Sequence, residues 1–332
     1  MLSAVRRRDE EMKRHSSFDD IKNDPRFRPD NPVDQLNYQK LDSWYAFKEG
    51  EEIHCCVRKE NGNRCKKLHR LGWVPELKDG TITIIGGTCA RKKFGANSNV
   101  SRDIAIAQKA IDRNENLARL ATQRERSQEK HEELHKAYDK ASTLKTHLAT
   151  FRTKLGEPAW ARLVGMSRTG NSFVRVLGVV DAKRDAKGAI VRTRQNTLIT
   201  VGRFVNLEIC RPYSIEQTLQ ALRDVATALM IKDEALEKAT DKELKSWLTK
   251  LEEYPRVLQT ANELDDLGRG FLSNDFTLLA FTTANQSERV RLMGFGLAEL
   301  EKRTDTEYCR AQLRSWDARL ESEHKVERLE IG

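Results

Sequence analysis

The 332-residue chain contains no run approaching 18 apolar residues, so no membrane-spanning helix is expected. Its first residues, MLSAVRRRDEEMKRHSS, lack the apolar stretch of a secretory signal, and a cytoplasmic protein is expected. Several catalytic signatures are also missing. There is no G-x-x-x-x-G-K-[ST] phosphate loop, no G-x-G-x-x-G after a strand and no G-x-S-x-G elbow. Neither glycine nor proline occurs between Ala96 and Leu155. A stretch that long without a breaker, rich in Ala, Leu, Glu, Lys, Arg and Gln, predicts helix. Aromatic residues make up only 7% of the chain, whereas charged residues make up 33%. That composition is polar for a compact enzyme and suits a chain with long exposed helices.

Cysteine is scarce, six residues in all, yet four of them fall in one short region: Cys55, Cys56, Cys65 and Cys89. His54 and His69 stand among them, while Cys210 and Cys309 are far away in sequence and alone. Thiols without a small secreted framework fit a reducing compartment, where they bind metal rather than pair. Soft thiolates and imidazoles that converge tetrahedrally suit Zn²⁺. Asn61-Gly62 is a favoured centre for a two-residue hairpin turn. With that turn His54 faces His69 and Cys56 faces Lys67. Alternation then puts Cys56, Cys65, His54 and His69 on one face and Cys55 on the other. The predicted ligands are Cys56, Cys65, His69 and Cys89, with Cys55 replacing Cys56 if the register slips by one. A second hairpin is predicted around Lys78-Asp79-Gly80, returning through 81–85. Gly86-Gly87-Thr88 then turns the chain, and Cys89 opens a short basic segment.

The net charge of +9 is unevenly spread. From Cys55 to Gly95 there are ten Lys/Arg against three acids, a local excess of +7. A cationic patch beside a structural metal is the electrostatic footprint expected for nucleic acid. The predicted phosphate contacts are Arg58, Arg64, Lys66, Lys67, Arg91, Lys92 and Lys93.

Elsewhere the residues give architecture. The proline-dotted start reads as an arm or strap, and Leu41, Trp44, Tyr45 and Phe47 as aromatic and aliphatic support for the zinc module. Such a module is too small to hold a core alone. Leu134, Ala137, Ala141, Leu144, Leu148, Phe151 and Leu155 make an unbroken seam spaced alternately three and four apart. An earlier partial seam uses Ile104, Ala107, Ile111, Ala118 and Ala121. Between them 122–133 is almost wholly polar, so one long helix or two folded near 122–130 are both open. The seam predicts helix–helix association, with a second copy or with this chain's own C-terminal helices. After Gly156-Glu157-Pro158 the period changes to β-branched runs over 173–209, and beyond Pro212 the pattern is helical to the end.

His131-Glu132-Glu133-Leu134-His135 matches H-E-x-x-H, the zincin motif. It is read here as solvated helix surface, because Leu134 opens the seam and no strand is predicted nearby to form a cleft.

The expected fold class is α+β, mostly α, with a β-hairpin zinc module, a long coiled-coil-like helix, a small antiparallel sheet and a C-terminal helical bundle. The expected segments are 1–52 (arm and aromatic strap), 53–96 (zinc module), 97–156 (long helix or helical hairpin), 157–212 (sheet) and 213–332 (helical domain). The expected function is non-catalytic nucleic-acid binding with Zn²⁺ as a structural ion. A protein-interaction adaptor in a larger assembly is the alternative, and an enzyme of unrecognised type ranks third.

Overall fold

The computed structural model describes residues 12–95, 97–211 and 214–331. It is a mixed α+β protein with small, mainly antiparallel sheets. The chain divides into two compact units, the first ending at Arg119 and the second beginning at Leu120. No helix among the described residues is long and apolar enough to cross a membrane.

The first unit holds β1 (Arg14–His15), α1 (Asp19–Lys22), β2 (Tyr38–Ala46), β3 (Ile53–His54), β4 (Leu68–His69), β5 (Leu71–Leu77), β6 (Ile85–Gly86), α2 (Gly87–Lys93) and most of α3 (Asn99–Gln123). Four strands form a sheet in the order β1-β2-β5-β6, and β3 and β4 make a separate two-stranded ribbon. The described part of the arm is a strap. Val33 N–H donates to the Cys56 carbonyl, and Arg58 N–H returns the bond to Val33. Ile21, Phe27 and Val33 are buried by this arrangement. Residues 1–11 lie outside the described part.

The aromatic residues of β2 support the ribbon. Tyr45 is fully buried and stacks on Phe47 with ring centroids 4.7 Å apart. The core is small, and it borrows Val100, Ile104 and Ala107 from α3. The turn at Lys78-Asp79-Gly80 forms as expected: Gly80 takes φ +79°, a conformation glycine adopts without steric cost, and donates to the Leu77 carbonyl.

After the last residues of α3, the second unit continues with α4 (Ser127–Leu155), so 97–156 is two helices rather than one. The break falls at Arg124–Arg126, where Arg126 is left-handed at φ 57°. This is the polar stretch between the two seams, where nothing apolar holds a helix against a neighbour. Then follow α5 (Glu157–Thr169), β7 (Phe173–Val180), β8 (Lys183–Arg184), β9 (Ile190–Arg192), β10 (Gln195–Arg203), α6 (Ser214–Leu229), α7 (Asp233–Lys238), α8 (Asp241–Glu252), α9 (Tyr254–Leu272), α10 (Gln286–Glu299), α11 (Thr306–His324) and β11 (Arg328–Glu330).

All seven seam residues of α4 are buried, and α4 packs on α6 and α9 of the same chain. The stripe that predicted association is therefore covered internally and offers no coiled-coil face to a second copy. Contact is close: a Cβ added at Gly268 of α9 would lie 2.4 Å from Leu144 Cδ1. Phe151 at the far end of the seam meets Phe271, Phe276 and Phe295.

Two expectations about this unit are corrected. Gly156 ends α4 at φ +89°, but the chain restarts at once as α5, because Pro158 in the first turn needs no hydrogen-bonded N–H. The chain is also not helical to its end. β11 returns to the sheet, giving the order β10-β7-β11 with both neighbours antiparallel to β7.

Candidate metal centre

The ribbon of β3 and β4 sets the geometry of the cysteines. Its register pairs Ile53 with His69 and His54 with Leu68, and a further bridge joins Arg58 to Arg64. The predicted register paired His54 with His69. The difference of one residue arises in the turn. Gly62 alone takes a positive φ, +78°, and its N–H donates to the Lys59 carbonyl while Lys59 N–H donates to Asn63. Three residues, Glu60-Asn61-Gly62, therefore span the turn instead of two, the arrangement in which one left-handed glycine follows a right-handed turn. A slip of one residue exchanges the two faces of a strand. Cys56 accordingly leaves the predicted ligand face and Cys55 takes its place.

The sulfurs of Cys55, Cys65 and Cys89 lie within 4.8 Å of one another and could hold a metal ion. Cys65 and Cys89 are 3.8 Å apart at Sγ. Cys56 faces the other way, among Ile21, Phe27, Tyr45 and Phe47, and its thiol donates to the Pro29 carbonyl at 3.2 Å. His54 is exposed, with Nδ1 held 2.9 Å from the Lys66 carbonyl.

The backbone is shaped around these sulfurs. The amides of Gly86 and Val57 donate to Cys55, and the amide of Lys67 donates to Cys65. Lys66, at φ 55°, makes the tight turn that aims the Lys67 N–H back at Cys65. Amide donors of this kind stabilise thiolate. Burial works against ionisation: it pushes the Cys55 thiol up to about 12 and raises Cys89 as well. Cys65 is also opposed by burial, but the Lys67 amide and the neighbouring thiols bring its pKa below the usual value. Three thiolates this close repel one another in a dry site, and a cation between them would remove that cost.

His69 sits beside this cluster, lining one cavity with Cys89, but is not one of its three members. Its Nδ1 is 2.7 Å from Tyr45 Oη, and Tyr45 O–H donates to the Ile85 carbonyl at 3.1 Å. Burial, with the charges of His54 and Lys67, lowers the His69 pKa to about 4, so the ring is neutral near pH 7. Nε2 is buried and has no hydrogen-bond partner among the described residues. Nothing in the sequence pattern singled out Tyr45 as more than an aromatic support.

The predicted phosphate contacts divide into two groups. Arg58 pairs with Asp34 at 2.8 Å, and Arg64 pairs with Asp30 at 3.2 Å while donating to Pro29 O. Both arginines fasten the strap to the ribbon. Lys66, Lys67, Arg91, Lys92 and Lys93 are exposed, and among the described residues no carboxylate pairs with them. The first two follow Cys65 directly, and the other three form the last turn of α2, which carries Cys89.

The H-E-x-x-H segment lies on α4. His135 pairs with Asp139 at 3.0 Å, Glu133 accepts from Tyr254 O–H, and Leu134 is buried in the seam. Cys210 and Cys309 are buried in the core of the second unit.

No known protein family matches the chain, and no curated protein or solved structure is significantly similar to it.

Proposed function

We propose that the first unit is a zinc-stabilised module that binds nucleic acid through a cationic face and carries out no reaction. Zinc is the ion of choice because a cluster of thiolates suits a soft, redox-inert cation. One observation carries the functional half: the unpaired cations flank two of the three converging cysteines. An ion held by Cys65 and Cys89 would tie Lys66-Lys67 and Arg91-Lys92-Lys93 into one patch. Contacts to phosphate need fixed cations and no base-reading code, which fits a site built of lysines and arginines alone.

The test is an anisotropy titration of labelled duplex DNA and of single-stranded RNA across a salt series. Binding that weakens steeply with salt, with a slope of about 0.9 per phosphate neutralised on duplex DNA, supports the proposal. An interaction adaptor is the second reading. It is favoured by Leu68 and Leu71, which are 48% and 63% exposed beside the same cations. Absence of nucleic-acid binding at low salt, with the module metal-loaded, would leave the adaptor in its place.

A further inference from the structure

Three sulfurs leave a structural zinc site one ligand short, since such ions are held almost always by four protein donors. We infer that His69 supplies the fourth through Nε2, making a closed Cys₃His centre, and that Tyr45 is the positioning residue that keeps Nε2 free to bind. This inference rests on the metal reading above and specifies its coordination.

The neighbouring donors are otherwise engaged. Cys56 is turned into the strap-side core, where it donates to Pro29 O. His54 is on the opposite ribbon face, paired with Leu68 in register and bonded to the Lys66 carbonyl. His69 shares with Cys89 a cavity of about 200 Å³ lined also by Gly86 and Gly87. Gly86 ties the two sides together. Its amide donates to Cys55, and its Cα faces the His69 ring so closely that an added Cβ would lie 3.1 Å from Nε2 and 2.5 Å from Cδ2. Only glycine lets the imidazole lie against the backbone that also bonds a ligand sulfur.

The tautomer follows from the hydrogen-bond chain. Tyr45 has a single O–H and two neighbours, the Ile85 carbonyl at 3.1 Å, which can only accept, and His69 Nδ1 at 2.7 Å; both contacts are hydrogen bonds at once only when the O–H goes to the carbonyl. The Tyr45 oxygen can then only accept from His69, so the proton of the neutral ring sits on Nδ1. Nε2 is left with a lone pair, buried and without a partner. A buried acceptor in that state is costly unless something binds it. A metal-ligating histidine characteristically donates its other N–H to a fixed oxygen, which is what Tyr45 provides. With the ion bound, Nε2 would join the three sulfurs as the fourth donor. With four protein ligands no position remains for water, so the ion organises the module and does not activate a nucleophile.

The experiment uses the full chain loaded with Zn²⁺ or Co²⁺. X-ray absorption of the zinc protein is expected to show three sulfurs at about 2.3 Å and one imidazole nitrogen at about 2.0–2.1 Å. Nitrogen NMR is expected to find His69 protonated at Nδ1 and metal-bound at Nε2. His69→Cys should keep a tetrahedral cobalt spectrum with a fourth thiolate band, which guards against a variant that merely fails to fold. Tyr45→Phe should weaken Co²⁺ binding by about 10–100-fold in chelator competition and shift the cobalt bands, with thiolate charge transfer retained. His54→Ala should change neither. A site with three sulfurs and no imidazole, or His69 protonated at Nε2, would overturn the assignment while leaving the metal reading intact. Failure of the wild-type chain to bind Zn²⁺ or Co²⁺ would overturn both.

Discussion

The two units differ in what fills their interiors. The second has a broad apolar core. Phe151 of α4 meets Phe271, Phe276 and Phe295, and α4 packs along its length on α6 and α9. The first unit divides its apolar residues between two smaller clusters, and three cysteines gather at the edge of one of them. A small module has too little buried surface to offset the entropy of ordering its chain, and an ion is one remedy. On the reading proposed here, the order of the first unit depends on an added ion, whereas that of the second is written in its own side chains.

That contrast is broken most directly by removing the metal. A strong chelator, or Cys65→Ser, should unfold the ribbon and α2 while the helices of the second unit stay folded, because binding of a structural metal is coupled to folding. Hydrogen exchange read segment by segment would show protection lost over 53–95 and kept over 134–155. Equal loss in both units would show that they do not differ in this way. Acid should act on the first unit in the same sense, since protons compete with the metal for thiolate.

The second unit should respond to a change in packing and ignore chelators. Leu144→Ala removes the side chain that fills the space over Gly268, and a loss of about 2–5 kcal/mol is expected in denaturant unfolding. A cost below 1 kcal/mol would mean the seam is not part of the core.

How far these features could be read in advance depends on how much of each is local. The seam of α4 was legible because seven residues repeat one spacing, and all seven are buried. Its partner was not legible, since the same stripe fits a second copy or the chain's own helices. The clustering of cysteines was visible, but the choice between Cys55 and Cys56 turned on whether Asn61 or only Gly62 takes a positive φ. Both turns are compatible with the dipeptide, and one residue of difference moves every side chain to the other face. β11 escaped notice because three residues carry no period, and the pairing that makes them a strand comes from β7, far earlier in the chain. The ribbon's two arginines looked like phosphate ligands by composition. Asp34 and Asp30, which take them up, precede them by more than twenty residues.

A smaller effect separates the cations. Lys92→Glu with Lys93→Glu should weaken nucleic-acid binding on any sequence and flatten its salt slope by about two contacts' worth, roughly 1.8 on duplex DNA. Arg58→Ala should instead act mainly on stability, because Arg58 holds the strap through Asp34. If Arg58→Ala flattened the slope as much as the lysine pair, the division drawn between strap and patch would fail. The smallest effect expected is from His131→Ala with His135→Ala. These residues sit on the outer part of α4, and metal content and nucleic-acid binding should be unchanged. Loss of a metal equivalent would restore the H-E-x-x-H segment as a site.

Everything proposed for the first unit rests on an ion held by Cys55, Cys65 and Cys89. The most direct measurement is the metal content of the purified full chain by elemental analysis, set beside a count of its reactive thiols under native conditions. The account predicts one equivalent of zinc per chain, lost in Cys65→Ser and kept in Cys56→Ser. A chain free of any transition metal, with Cys55, Cys65 and Cys89 all open to thiol reagents and the ribbon still ordered, would contradict it.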